Sequence, residues 1–133
     1  MSAAISFVPE DILAKIYLFR VHTYHEQIAV CYKLRQFCLE HPQVRLLVID
    51  SIAFHFRQEF SNMALRTRLL HGMAQTLTQL ALEFNVGVVL MNQLTTKFNK
   101  SDGCRAQLVP ALGESWGHAC TNRIILSWQQ NHR

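Results

Sequence analysis

No apolar run approaches the ~18 residues needed for a membrane-spanning helix, and the first residues have neither a basic stretch nor a long apolar core, so neither a span nor a secretory signal is expected. The chain therefore reads as soluble and intracellular. Glycine is scarce, with five in 133 residues, and Gly72, Gly87, Gly103, Gly113 and Gly117 never form the G-x-x-x-x-G-K-[ST] loop that cradles nucleotide phosphates. The four cysteines, Cys31, Cys38, Cys104 and Cys120, show no C-x-x-C pair and are expected to be free thiols. Cys31 and Cys38 lie seven apart, which stacks them on one helix face as small buried hydrophobes. His22 and His25 have no second ligand pair at metal spacing, which argues against a zinc-type centre. Internal repeats and low-complexity tracts are absent.

What is present suits one core-forming domain. Half the residues are apolar and 17% are charged, the opposite of a disordered composition, and the length is that of a single domain. The net charge of +4 is unevenly placed. Residues 1–93 hold eight basic and seven acidic side chains, whereas residues 94–133 hold Lys97, Lys100, Arg105, Arg123 and Arg133 against only Asp102 and Glu114. A surplus of this size permits contact with a polyanion without requiring it.

Strand and helix signals alternate. Ile16-Tyr17-Leu18-Phe19 within residues 14–21 suits a strand, and Thr23 with Glu26 has capping-box spacing for a helix ending near Glu40, with Pro42 just beyond. Ile28, Cys31, Tyr32, Arg35, Cys38 and Leu39 fall at three- and four-residue steps within it. Residues 44–50 form an aliphatic run closed by Asp50, the pattern of a parallel strand buried on both faces. Ser61 or Asn62 caps a second helix striped by Leu65, Leu69, Leu70, Met73, Ala74, Leu77, Leu80, Ala81 and Phe84, and Asn85 and Gly87 suit its exit. Further strands are expected over residues 86–91 and 124–128. Such alternation predicts a mostly parallel α/β sheet with right-handed crossovers, interrupted by a long loop from Leu94 to about Ser115.

Ligands of parallel sheets bind beyond the carboxyl ends of the strands. Asp50-Ser51 and Asn92-Gln93 both occupy such ends and converge if the strands are neighbours. A strand-terminal Asp50 suits Mg²⁺ held directly or through water against phosphates, although in many sheets such an acid merely caps the following loop. Asn92-Gln93 has the amides to sense a phosphate or orient a water, or simply to anchor a loop. Lys97, Lys100 and Arg105 are each able to neutralise a phosphate or simply to form a solvated surface, and Phe98 to stack on a base or pin the loop to the core.

Residues 44–54 (VRLLVIDSIAF), Arg57, residues 65–70 (LRTRLL), residues 91–97 (MNQLTTK) and above all residues 108–119 (LVPALGESWGHA) resemble the RecA-like strand-exchange ATPases, and more narrowly the group of eukaryotic recombinase paralogues known as the C paralogues. The likeness runs from about Asp11 to Arg133. It implies a partial RecA-like ATPase core, a mostly parallel sheet with helices on both faces, forming a single domain. By the same resemblance Asp50 is the Walker B acid holding Mg²⁺, most simply through water, with Ser51 beside it. Asn92 and Gln93 couple nucleotide state to a DNA-binding loop, and His118 reaches toward nucleotide on a neighbouring subunit. Residues 56–63, with Arg57 among them, correspond to the first DNA-facing loop; residues 94–113, with Lys97, Phe98, Lys100 and Arg105, correspond to the second.

The resemblance further implies ATP and Mg²⁺ as cofactors, single-stranded or branched DNA and other recombinase paralogues as partners, and a nuclear location in homologous-recombination repair. The family's phosphate loop, catalytic-glutamate strand and N-terminal DNA-contacting domain are expected to precede the matching segment, so that ATP hydrolysis by this stretch alone is not expected. A non-catalytic module that binds paralogue partners is the alternative. An unrelated doubly wound nucleotide enzyme lacks its glycine cluster here.

Overall fold

The computed structural model describes residues 8–58, 60, 62–99 and 105–126. A short helix α1 (Pro9–Leu13) leads into residues 16–20, which form neither helix nor strand. The strand expected at residues 14–21 is therefore not formed. Aromatic packing holds this segment instead: the Tyr17 and Phe19 rings each meet Phe37 edge-on at 5.1 Å, and Gln43 Nε2 donates to the Tyr17 hydroxyl at 2.8 Å.

Helix α2 (Tyr24–Glu40) begins at Thr23, whose hydroxyl accepts from the Glu26 amide at 3.2 Å. The Glu26 carboxylate reaches back to the His22 amide at 2.7 Å, one residue earlier than the simplest capping box predicts. The buried positions are Gln27, Cys31, Leu34 and Cys38, whereas Tyr32, Arg35 and Leu39 are exposed. Of the positions read at helical spacing, Cys31 and Cys38 are buried and Ile28 packs against the core, and the buried face is completed by Gln27 and Leu34.

Strand β1 (Leu46–Asp50) follows, then a short helix α3 (Phe54–Gln58). Ile52, Ala53 and Phe56 are completely buried and fix the start of α3 in the core. Part of the stretch assigned to the first DNA-facing loop is therefore helical. Helix α4 (Met63–Phe84) is capped by Asn62, whose side chain accepts from the Leu65 amide at 3.0 Å, and closes at Asn85 in the left-handed conformation (φ 51°). Its buried Leu70, Met73, Ala74, Leu77 and Leu80 form the stripe expected from the sequence. Each such side chain taken from water contributes about 1.5–3 kcal/mol for the larger aliphatics.

Strand β2 (Gly87–Met91) pairs in parallel with β1, from Leu46 against Gly87 to Asp50 against Met91. Leu47, Ile49, Val88 and Leu90 pack against the core to which α2 and α4 contribute. Leu46, Val48, Val89 and Met91 face the other way and are exposed. Among the described residues helices therefore cover one face of this sheet, and β1 is half-buried by alternation where burial on both faces was expected. An aliphatic run shows that a strand is apolar on both sides, not that both sides are covered.

The long loop expected from Leu94 is an antiparallel hairpin, β3 (Leu94–Asn99) with β4 (Arg105–Pro110), followed by the short helix α5 (Gly113–Gly117). Thr95, Thr96 and Val109 are the β-branched residues that favour the pleated backbone. Residues 124–126 form no strand, and the rest of that expected strand, residues 127 and 128, lies outside the described residues. Cys104 lies outside them as well. No helix among the described residues is long and apolar enough to cross a membrane.

Cys31 and Cys38 are free and buried, as expected. Burial pushes the Cys31 thiol from its ordinary 9.0 up to about 11, and burial, with the Glu83 charge, pushes Cys38 the same way. Unfolded thiols therefore lose their protons first, so this contribution to stability is intact below pH 9.0 and is lost as pH rises towards about 11. Urea midpoints across that window should fall less steeply for Cys31→Ala than for the parent; parallel curves would refute the buried-thiol assignment.

Candidate functional site

Parallel pairing of β1 and β2 in register sets the two polar strand ends side by side. The Ile52 amide donates to the Met91 carbonyl at 3.0 Å, which carries the contact one step past the ladder. Asp50-Ser51 thus lies next to Asn92-Gln93, the juxtaposition that the sequence allowed only if the strands were neighbours. Asp50, Ser51, His55 and Gln93 line one open groove of about 1490 Å³, whose walls include β1, α2 and the segment before α2. The Asp50 carboxylate is exposed, while the Ser51 Oγ is buried without a hydrogen-bond partner.

Gln27 of α2 lines the same groove and was missed in the sequence. Its side chain is only 3% exposed, yet neither amide atom has a partner. A buried amide left unpaired costs about 1–3 kcal/mol. A glutamine in the first turn of a helix ordinarily reads as a solvated residue, so its spacing gave no signal.

Asn92 and Gln93 also close the base of the hairpin. Asn92 Nδ2 donates to the Ala111 carbonyl at 3.1 Å, Asn92 Oδ1 accepts from the Gln93 amide at 2.9 Å, and the Ala111 amide donates to the Gln93 carbonyl at 2.8 Å. From α3, Arg57 Nη1 donates to Gln93 Oε1 at 2.9 Å. Ala111 is buried, so the hairpin stands on a fixed footing.

The other expected site residues are placed differently. Lys97 is exposed on β3. In the hairpin the Phe98 backbone pairs with Ala106 and that of Arg105 with Asn99, but the side chains of Phe98 and Arg105, like the whole of Lys100, lie outside the described residues. His118 caps the C-terminus of α5, is exposed and does not line the groove, so the described site does not join it to Asp50.

One carboxylate with an adjacent hydroxyl fits Mg²⁺ held mainly by phosphate oxygens and water, since that ion usually takes only one or two protein carboxylates. Among the described residues no group of three metal-ligating side chains forms a protein cage. The donors thus suit a metal that arrives with a nucleotide rather than one the chain holds alone.

Comparison with known proteins identifies the family. The family model described as Rad51 matches residues 2–132, and the chain belongs to that family. The protein named DNA repair protein RAD51 homolog 3 from Cricetulus griseus is 49% identical over 127 residues, covering 96% of this chain and 34% of the relative. Its namesake from Dictyostelium discoideum is 43% identical over 130 residues, with the same coverages. More distantly, the DNA repair and recombination protein RadA of Aeropyrum pernix is 32% identical over 136 residues, covering all of this chain and 42% of the relative. The chain spans about a third of the length of the two RAD51 homolog 3 relatives. Its parallel pair and helices are part of the α/β core of a Rad51/RecA-like domain.

Asn92→Ala removes the side-chain tie between β2 and the turn after β4 and leaves the Ala111 carbonyl without that donor. The expected loss is about 1 kcal/mol of unfolding free energy. A urea midpoint indistinguishable from the parent's would show that this tie contributes nothing.

Proposed function

We propose that this chain serves homologous-recombination DNA repair as part of the ATPase core of a recombinase paralogue acting in a hetero-oligomeric paralogue complex in the nucleus. The observation that carries the reading is the in-register pairing of β1 with β2, which sets Asp50-Ser51 beside Asn92-Gln93 at the foot of the hairpin. On this reading Asp50 takes the Mg²⁺ of a bound ATP, through water, with Ser51 beside it. Asn92 and Gln93 transmit the state of the nucleotide to the hairpin. His118 serves a nucleotide bound by an adjoining subunit.

The hairpin and α3 then face single-stranded or branched DNA. Lys97, Lys100 and Arg105 supply charge, Phe98 supplies a stacking surface, and Arg57 lies in the first DNA-facing segment. The surplus of positive charge in residues 94–133 supports this placement. ATP hydrolysis also requires a phosphate cradle, and this sequence contains no G-x-x-x-x-G-K-[ST] loop, so the chain contributes to such a site rather than completing it.

A second reading has its own observation. Leu46, Val48, Val89 and Met91 leave an apolar sheet face exposed, and Ile124, Ile125 and Leu126 are exposed as well. Surfaces of this kind mark protein contacts. The chain then acts as a non-catalytic module that binds paralogues without nucleotide.

Binding of a fluorescent single-stranded oligonucleotide across a salt series, with and without ATP·Mg²⁺ and beside a full-length relative, separates the two. The DNA-facing reading predicts a clear salt slope for both proteins and a response to ATP only in the relative. In Lys97→Glu, Lys100→Glu or Arg105→Glu the slope should be shallower by about 0.7 for each phosphate that is no longer neutralised. No binding at low salt would overturn the reading. Retention of paralogue binding by Asp50→Asn would then favour the interaction module.

A further inference from the structure

We infer that Arg57 is a positioning residue: it holds the side chain of Gln93 and so ties the first DNA-facing segment to the base of the hairpin, rather than gripping a phosphate itself. The functional part of this inference rests on the DNA-facing reading given above. Its structural part stands on hydrogen bonds alone.

Arg57 sits on the last turn of α3, a helix whose neighbouring Phe56 and preceding Ile52 and Ala53 are completely buried. Its amide is bonded to the Ala53 carbonyl at 3.1 Å, so its backbone is fixed to the core. From there the guanidinium reaches across 36 residues of sequence to Gln93 Oε1 at 2.9 Å. Gln93 is no passive acceptor, because its carbonyl takes the Ala111 amide and its own amide donates to Asn92, whose side chain bonds the Ala111 carbonyl. One guanidinium thus touches the residue through which both ends of the hairpin are joined.

The chemistry favours this assignment over a plain phosphate contact. A charge-assisted hydrogen bond is stronger than a neutral one, and a carboxamide oxygen held by a guanidinium has its amide nitrogen turned away and free to donate elsewhere. Arg57 therefore fixes which end of Gln93 is presented to the groove that Gln93 lines with Asp50. A residue acting in this way affects DNA binding through the geometry of the hairpin and adds nothing to the number of neutralised phosphates. Lysine at this position keeps the charge but loses the fixed fork of donors.

Two readouts on the 133-residue chain test the idea. In amide hydrogen exchange, Arg57→Gln and Gln93→Met should each speed exchange of the Ala111 amide while leaving the β1–β2 ladder protected; unchanged exchange at Ala111 overturns the tie whether or not the chain binds DNA. In oligonucleotide binding across a salt series, both single variants should weaken binding several-fold with the parent's slope, and the double variant should be no weaker than either single one. Arg57→Lys should be impaired like Arg57→Gln. A slope reduced by about 0.7 in Arg57→Gln, with full rescue by lysine and additive effects in the double variant, would assign Arg57 directly to a phosphate and refute the positioning role. Failure of the parent chain to bind DNA would instead remove the DNA-facing reading, with the exchange result still deciding the tie.

Discussion

The arrangement depends on one pairing, the parallel ladder between β1 and β2. Register in a sheet is specified wherever one face is buried, because a slip of one residue would turn every apolar side chain to the wrong side. Here Leu47 and Ile49 on one strand and Val88 and Leu90 on the other must all meet the core beside α2 and α4. That constraint puts Asp50 opposite Met91 and leaves the next residues of both strands together. Packing on one face therefore determines what the polar ends can do, and the stripe along α4 is the lever that sets it.

The same pairing explains why the site is built in layers. Asp50 and Ser51 end a strand held in a ladder, Asn92 and Gln93 end its neighbour, and the hairpin leaves directly from them. On the proposed reading, a change at Asp50 has only Asn92 and Gln93 to cross before it reaches the foot of β3. Arg57 adds a second route, from α3, into Gln93. The outer sheet face, with Leu46, Val48, Val89 and Met91 exposed, takes no part in this path and is the surface most suited to meeting further protein.

Much of this was legible in the sequence where a signal is local. The Asn62 cap, the α4 stripe, the left-handed exit at Asn85 and the two aliphatic strands all announce themselves within a few residues. The family was legible too, because LVPALGESWGHA and VRLLVIDSIAF are long enough to be specific. The buried face of α2 was legible at Cys31 and Cys38 but not at Gln27, a polar residue that gives no apolar signal. The hairpin was read as an open loop because the polar sequence from Asn99 to Arg105 gives no strand signal at the ends of its two short strands. Coverage of one sheet face was not legible, since periodicity reports which side chains are apolar and not what lies over them. Nor was the Arg57–Gln93 bond, whose partners are brought together only by the fold; the site residues individually named from the resemblance fall together at Asp50, Ser51 and Gln93, while His118 stands apart.

The central claim is that the hairpin rooted on Asn92 and Gln93 is the face that meets DNA. Photo-crosslinking of the chain to a single-stranded oligonucleotide carrying 5-iodouracil, followed by peptide mapping, tests it most directly, because the crosslink forms only at bases in contact with protein. The account predicts adducts within residues 94–110, with Phe98 as a favoured acceptor. Adducts confined to α2 or α4, with none in the hairpin, would contradict it.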